Sequence, residues 1–113
     1  MVFTIRECED TSISGNGTTT LKIDIAEGTT FTITKIVVKY TGSFKITRIY
    51  NTATKEDYLS GNLHETHFND ENGKTLVLPV PLEIKGSTSL KFDVTDTSGS
   101  SNAIYIACIG DEK

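Results

Sequence analysis

The clearest alternation in the chain lies in residues 88–110. In Ser89-Leu90-Lys91-Phe92-Asp93-Val94-Thr95, the apolar Leu90, Phe92 and Val94 take every second position. A period of two places them on one face of a strand. Asp96-Thr97-Ser98-Gly99-Ser100-Ser101-Asn102 is polar, and Ala103-Ile104-Tyr105-Ile106-Ala107-Cys108-Ile109 is then almost continuously apolar. Two such runs around a Gly/Ser/Asn/Asp cluster read as a hairpin. The second run is apolar on both faces, which predicts a central strand covered on both sides. The rest of the fold reads as sheet built around it.

The preceding segments follow the same grammar. Residues 2–8 form the first expected strand, and Glu9-Asp10-Thr11-Ser12 and Ser14-Gly15-Asn16-Gly17 carry turn chemistry. Residues 18–26 alternate, with Leu21, Ile23 and Ile25 on one face and Lys22 and Asp24 on the other. Residues 29–40 are one long strand whose apolar positions change parity between Ile33 and Ile36, which predicts a bulge near Thr34-Lys35. Residues 43–50 place Phe44 and Ile46 inward. Residues 51–72 are the least regular, with a short strand expected at 63–68. Residues 74–78 read as a short strand ending at Pro79. Pro79-Val80-Pro81 cannot donate to a central ladder, so it belongs at an edge or at a crossing between sheets. Residues 82–85 are extended again.

Eight or nine short strands at even spacing, with no helical periodicity over ten or more residues, predict an all-β protein: a two-sheet antiparallel sandwich of jelly-roll form, with residues 1–113 as a single domain. An immunoglobulin-like sandwich is the second choice, but its Cys-Trp-Cys core signature is absent. A chain of 113 residues buries roughly two-thirds of its unfolded surface. Its 36% hydrophobic and 23% charged content is that of a folded domain.

Charge and hydropathy narrow the function classes. The net charge is −4 and no cationic cluster stands out, which argues against nucleic acid as a partner. No apolar run approaches the roughly 20 residues of a membrane span. The opening Met1-Val2-Phe3-Thr4-Ile5-Arg6-Glu7 lacks the basic and apolar regions of a signal peptide, so the expectation is a chain made in the cytosol or one whose signal has been removed.

Cys8 and Cys108 lie in the first and last expected strands. Were those strands neighbours, a disulfide could close almost the whole chain. Two buried free thiols acting as small hydrophobes is the simpler reading, since two cysteines without a secretory signal are no disulfide framework.

Candidate chemistry is sparse. In His64-Glu65-Thr66-His67 the imidazoles are spaced i, i+3, not the i, i+4 of the metalloprotease helix, and in a strand they would point to opposite faces. They read as solvated histidines, and no metal and no cofactor is expected. Asp93 and Asp96, and the Asp70-Glu71-Asn72 turn, offer oxygens, but neither matches an ordered calcium loop. Sugar binding would need exposed aromatic platforms. Trp is absent, while Phe31, Phe44 and Phe92 fall on core faces. Among Tyr40, Tyr50, Tyr58 and Tyr105, the pair Tyr50 and Tyr58 flanks the irregular region and is the best stacking candidate. No Gly-x-Ser-x-Gly elbow or phosphate-binding loop is present, and adjacent carboxylates such as Glu56-Asp57 point apart in a strand. Enzyme activity is not expected. The candidate ligand or interface residues are therefore Tyr50, Tyr58, His64 and His67.

The run Leu76-Val77-Leu78-Pro79-Val80-Pro81-Leu82-Glu83-Ile84-Lys85-Gly86, then Ser89-Leu90-Lys91-Phe92-Asp93-Val94-Thr95 and Ser100-Ser101-Asn102-Ala103-Ile104-Tyr105-Ile106, resembles the closing half of small jelly-roll proteins found on virions, such as phage capsid-decoration and tail or fibre accessory proteins. Phe31-Thr32-Ile33-Thr34-Lys35-Ile36 is similar to the strand that opens such sandwiches. The resemblance covers about half the chain and transfers no functional residue. It implies a non-catalytic structural subunit of the virion, a homo-oligomer or a partner of capsid or tail proteins. The expected interface elements of such a subunit are the irregular region 51–72 and the N-terminal arm, residues 1–10, which could add a strand to a neighbour's sheet edge. The alternative is a carbohydrate-binding module or lectin-like domain, secreted or at a cell surface, with a glycan as partner. A third reading is an adhesion or pilus-type domain.

Overall fold

The computed structural model describes residues 3–71 and 73–113. Among the described residues nine strands follow in chain order: β1 (Phe3–Ile13), β2 (Thr18–Ile25), β3 (Thr30–Tyr40), β4 (Phe44–Asn51), the two-residue β5 (Glu56–Asp57) and β6 (Leu63–His64), β7 (Thr75–Lys85), β8 (Thr88–Asp96) and β9 (Asn102–Glu112). One 3-10 turn, Glu65–His67, follows β6.

Two antiparallel sheets form a sandwich. One has the order β1-β9-β3-β7; the other has the order β2-β8-β4-β5, with β6 also pairing β4. Pairing is nested: β1 with β9, β2 with β8 and β3 with β7. The apolar β9 is central, between β1 and β3, as its two apolar faces require.

The inner faces are those the alternation marks. Leu21 and Ile23 of β2 pair with Phe92 and Leu90 of β8, and Ile25 and Val94 extend the same inner face, while Phe31, Ile33, Ile36 and Val38 of β3 and Ile104, Ile106 and Cys108 of β9 come from the other sheet; all are buried. The expected bulge is at Thr34, where the ladders to both neighbours slip between Ile33 and Lys35, so that Ile33 and Ile36 both face inward. Gly110 sits opposite, and a Cβ there would lie 1.8 Å from the Thr32 carbonyl oxygen. The bulge thus brings two backbones closer than any side chain permits.

Several boundaries differ from the expectation. β1 runs on through Asp10, Thr11 and Ser12, which read as a turn. Asp10 accepts hydrogen bonds from the Ser12 amide and the Thr19 hydroxyl, so its polar side chain anchors a strand corner instead of ending the strand. A second slip, between Ile46 and Arg48, brings Ile46 and Ile49 to the same face. Residues 63–68 form a two-residue strand and a 3-10 turn, not one strand. β7 passes through both prolines. Its ladder to β3 stops at Val77 and resumes at Leu82, so Pro79 and Pro81 fall where no donor is needed. β7 is an edge strand, one of the two placements that the prolines predicted.

Candidate functional site

The four sequence candidates do not converge on one site. Tyr50 is half-buried on the outer face of the five-stranded sheet, with the Arg48 guanidinium 3.7 Å from its ring centroid. That stacking occupies one face of the ring. Tyr58 is on the inner side, packed against the core margin, with its hydroxyl accepting a hydrogen bond from Asn51 Nδ2 at 3.2 Å. Asn51 is buried, and its Oδ1 also receives the Ala53 amide and the Thr88 hydroxyl. The two tyrosines therefore lie on opposite sides of one sheet and do not form a shared sugar-stacking groove.

His64 and His67 come together, contrary to the strand geometry expected for them. The 3-10 turn brings their rings to a 5.7 Å centroid separation, edge to face. Both are exposed. His67 Nδ1 accepts the His64 backbone N–H at 2.9 Å. An accepting Nδ1 carries no proton, so the neutral ring holds its proton on Nε2. Neither nitrogen of His67 then has a lone pair free for a metal while the turn is closed. Among the described residues, no group of three or more His, Cys, Asp or Glu side chains is gathered to hold a metal ion.

The acidic turns are likewise engaged. Asp93 accepts from the Thr20 hydroxyl, and Asp70 from the Val77 amide. Glu71 pairs with Lys35 at 2.6 Å. Asn72 lies outside the described residues. Asp96 is buried and accepts from the Ser98 hydroxyl, the Asn16 amide, Asn102 Nδ2 and the Gly99 amide. Those donors, Ser98 foremost and Asn16 next, hold its carboxyl well below the usual carboxylate range.

Cys8 and Cys108 are free. Their strands are neighbours, but Cys8 is opposite Ile106 and Cys108 opposite Arg6, so the thiols are diagonal and not paired. Burial pushes the Cys8 thiol up to about 12 and raises Cys108 as well, with nearby Cys8 adding to the shift.

Two surfaces remain that the sequence reading did not single out. A cleft of about 200 Å³ opens between β7 and the segment holding β5 and β6, lined by residues such as Ile49, Tyr58, Leu63, Leu78 and Leu82. Val80, 74% exposed, stands on its rim.

The second surface is the outer face of the four-stranded sheet. The register sets its side chains in rows. Glu9, Tyr105 and Lys39 form one row; Glu7, Ala107 and Val37 the next; Ile5, Ile109, Lys35 and Val77 the third. In these rows the acids, Glu7 and Glu9, lie on β1 and the cations, Lys35 and Lys39, on β3; further along the same face β9 adds Asp111, and β7 adds Glu83 and Lys85. Ile5 is 49% and Val77 41% exposed. Small Ala107 floors a depression of about 300 Å³ bounded by Glu7, Val37, Lys39 and Tyr105. A wider hollow of about 570 Å³ lies over Thr34, Ile109 and Gly110.

Residues 3–10, expected as part of an N-terminal interface arm, are instead built into the chain's own sheet as the start of edge strand β1. Met1 and Val2 lie outside the described residues. No family model matches the chain, and neither a curated protein nor a solved structure matches it.

Proposed function

We propose that this chain is a non-catalytic structural subunit that works through protein–protein contacts, of the kind that decorates or completes a virion. The observation that carries the reading is the outer face of the four-stranded sheet. There Ile5, Ile109, Ala107 and Val37 form an apolar band, with Val77 beyond Lys35, that the chain covers only in part. A band of this kind on a sheet face is a mark of association. The nested pairing of β1 with β9, β2 with β8 and β3 with β7 supports a jelly-roll reading of the sandwich. That agrees with the resemblance to small virion proteins, although a fold shared by many functions does not decide among them.

The second reading, a glycan-binding domain, rests on the same scaffold. Tyr105, half-buried on the outer face beside Ala107, is a better platform for it than Tyr50 and Tyr58. Light scattering of the purified chain, run beside a glycan screen, separates the two. A stable oligomer with no glycan bound supports the structural subunit. A monomer that binds a glycan and loses it on Tyr105→Ala replaces that reading with the second.

A further inference from the structure

On the outer face of the five-stranded sheet, one cross-strand pair breaks the pattern of its neighbours. We propose that Lys22, Lys91 and Arg48 form a binding site for a phosphate monoester. The site lies on the other sheet from the apolar band and does not depend on the structural-subunit reading.

Strands β2 and β8 set four pairs of side chains against each other on this face: Thr18 with Thr95, Thr20 with Asp93, Lys22 with Lys91 and Asp24 with Ser89. Three pairs are complementary. The Thr18 and Thr95 hydroxyls bond at 2.9 Å, the Thr20 hydroxyl donates to Asp93 at 2.8 Å, and the Ser89 hydroxyl donates to Asp24. The fourth pair sets ammonium against ammonium, and like charges directly opposite are destabilising. The rung is also of the closer kind. The Asp96 amide donates to the Gly17 carbonyl, which makes 17 and 96 a hydrogen-bonded pair of the same ladder. Alternation then makes 22 and 91 a non-hydrogen-bonded pair, with Cα atoms about 4.5 Å apart.

Strand β4 brings a third cation to the row. Lys91 is opposite Tyr50, and the Arg48 guanidinium lies over the Tyr50 ring at 3.7 Å. The register sets Arg48 itself opposite Asp93, yet its charge is carried into the Lys91 row. Lys91 and Arg48 make no ion pair among the described residues, and Lys22 reaches Asp24 only at 3.8 Å. Three carboxylates border the row, and each has a donor of its own: Asp24 and Asp93 the hydroxyls named above, Asp57 the Leu59 amide. Lys45 stands on the same face two rows away, between Thr95 and His64. All three cations of the row are exposed. A phosphate monoester carries a charge near −2 and three acceptor oxygens. It can meet two lysine ammoniums and the planar fork of an arginine together, and it relieves the repulsion that the free chain bears. A singly charged carboxylate or sulfate ester has less charge to offer the same three groups.

The test is an NMR titration of the full chain at pH 7.5 and constant low ionic strength, with inorganic phosphate and glucose 6-phosphate as probes. Saturable shifts centred on Lys22, Lys91 and Arg48 are expected, with a Kd of about 1 mM. Equal affinity for both probes places recognition in the phosphate group alone; tighter binding of glucose 6-phosphate assigns a sugar-borne phosphate. At pH 5 the phosphate regains a proton while the three cations stay charged, so binding should weaken severalfold. Lys22→Thr/Lys91→Thr copies the Thr18–Thr95 rung. It should melt no lower than wild type and bind at least tenfold more weakly, and Lys91→Gln alone should weaken binding about threefold. Lys39→Gln/Lys85→Gln makes the same change of net charge on the other sheet and should leave binding as it is. Shifts still linear at about 20 mM overturn the proposal. So does an equal loss in Lys39→Gln/Lys85→Gln, which would mean that binding follows net charge, or a Lys22→Thr/Lys91→Thr chain that binds as wild type. A Lys22→Thr/Lys91→Thr chain that melts well below wild type would show the lysine rung to be structural, and overturns it too.

Discussion

Asn102 donates from Nδ2 to Asp96 Oδ1 at 2.8 Å, and this one bond joins the two ends of the loop between β8 and β9. The same Asn102 accepts from the Gly42 amide and the Thr41 hydroxyl and donates to the Gly42 and Ser43 carbonyls. Asp96 in turn reaches the Asn16 amide. Three loops at one end of the sandwich are tied through two buried side chains. Asn102→Ala should strand several of these groups and destabilise the fold by about 3 kcal/mol. A shift of the urea midpoint smaller than that expected for about 1 kcal/mol would show the loops to be held some other way.

Asp96 also sets a pH dependence. Its carboxyl is held below its ordinary range in the folded chain, and the Asp10 carboxyl is lowered too, chiefly by the Ser12 amide. A depressed folded-state value contributes stability that is complete above the unfolded value of about 3.9 and is lost as pH falls below it. Melting temperature should thus hold level down to about pH 5 and fall below pH 4, and Asp96→Asn should flatten part of that fall. An unchanged acid slope in Asp96→Asn would contradict the assignment.

Gly110→Ala tests the bulge. The new methyl would sit 1.8 Å from the Thr32 carbonyl oxygen. Either β3 and β9 separate or the ladder re-registers, at a cost of about 4 kcal/mol or more. Failure to fold, or a melting temperature lowered by more than about 15 °C, is the expected outcome. A variant within a few degrees of wild type would mean that β3 can withdraw freely.

The two thiols should be inert. With Cys108 fully buried and both thiols raised by burial, little thiolate exists at pH 8. Maleimide labelling followed by mass measurement should find Cys108 unmodified in the folded chain and both cysteines modified in denaturant. Rapid native labelling of Cys108 would count against a closed β1–β9 ladder.

For the histidine pair, zinc should have no effect. Ligation through His67 requires breaking its bond from the His64 amide. Adding excess Zn²⁺ at pH 7.5 should leave the imidazole NMR signals of both residues in place. Paired shifts at stoichiometric metal would show that the turn opens readily.

Much of the sandwich could be read from alternation alone. Phe92, Leu21 and Ile106 took their inward places, and the parity change around Thr34 located the bulge, because a period of two leaves no other way to bury Ile33 and Ile36 together. Alternation was silent on β1 beyond Cys8, because the turn-forming Asp10 and Ser12 find their partners within a strand. It also broke β7 at Pro79, where the ladder is already open. The candidate surface was hidden for a different reason. Periodicity assigns a residue to a face but not to a neighbour. Glu9, Tyr105 and Lys39 become a row only once β1, β9 and β3 are known to lie side by side. The His64–His67 contact depends on a single 3-10 turn too short to leave a periodic trace.

The nesting of the strands dictates when this protein can fold. Among the described residues β1 pairs only with β9, at the far end of the chain, and β2 waits for β8. A ribosome therefore releases the first two strands long before their partners exist, and their apolar faces stay wet until the last strand emerges. Loop closure over such separations is slow, so folding belongs on the millisecond-to-second scale and follows synthesis of β9. Until then Leu21, Ile23 and Ile25 are open to any other chain, and a chaperone has its clearest task in that interval.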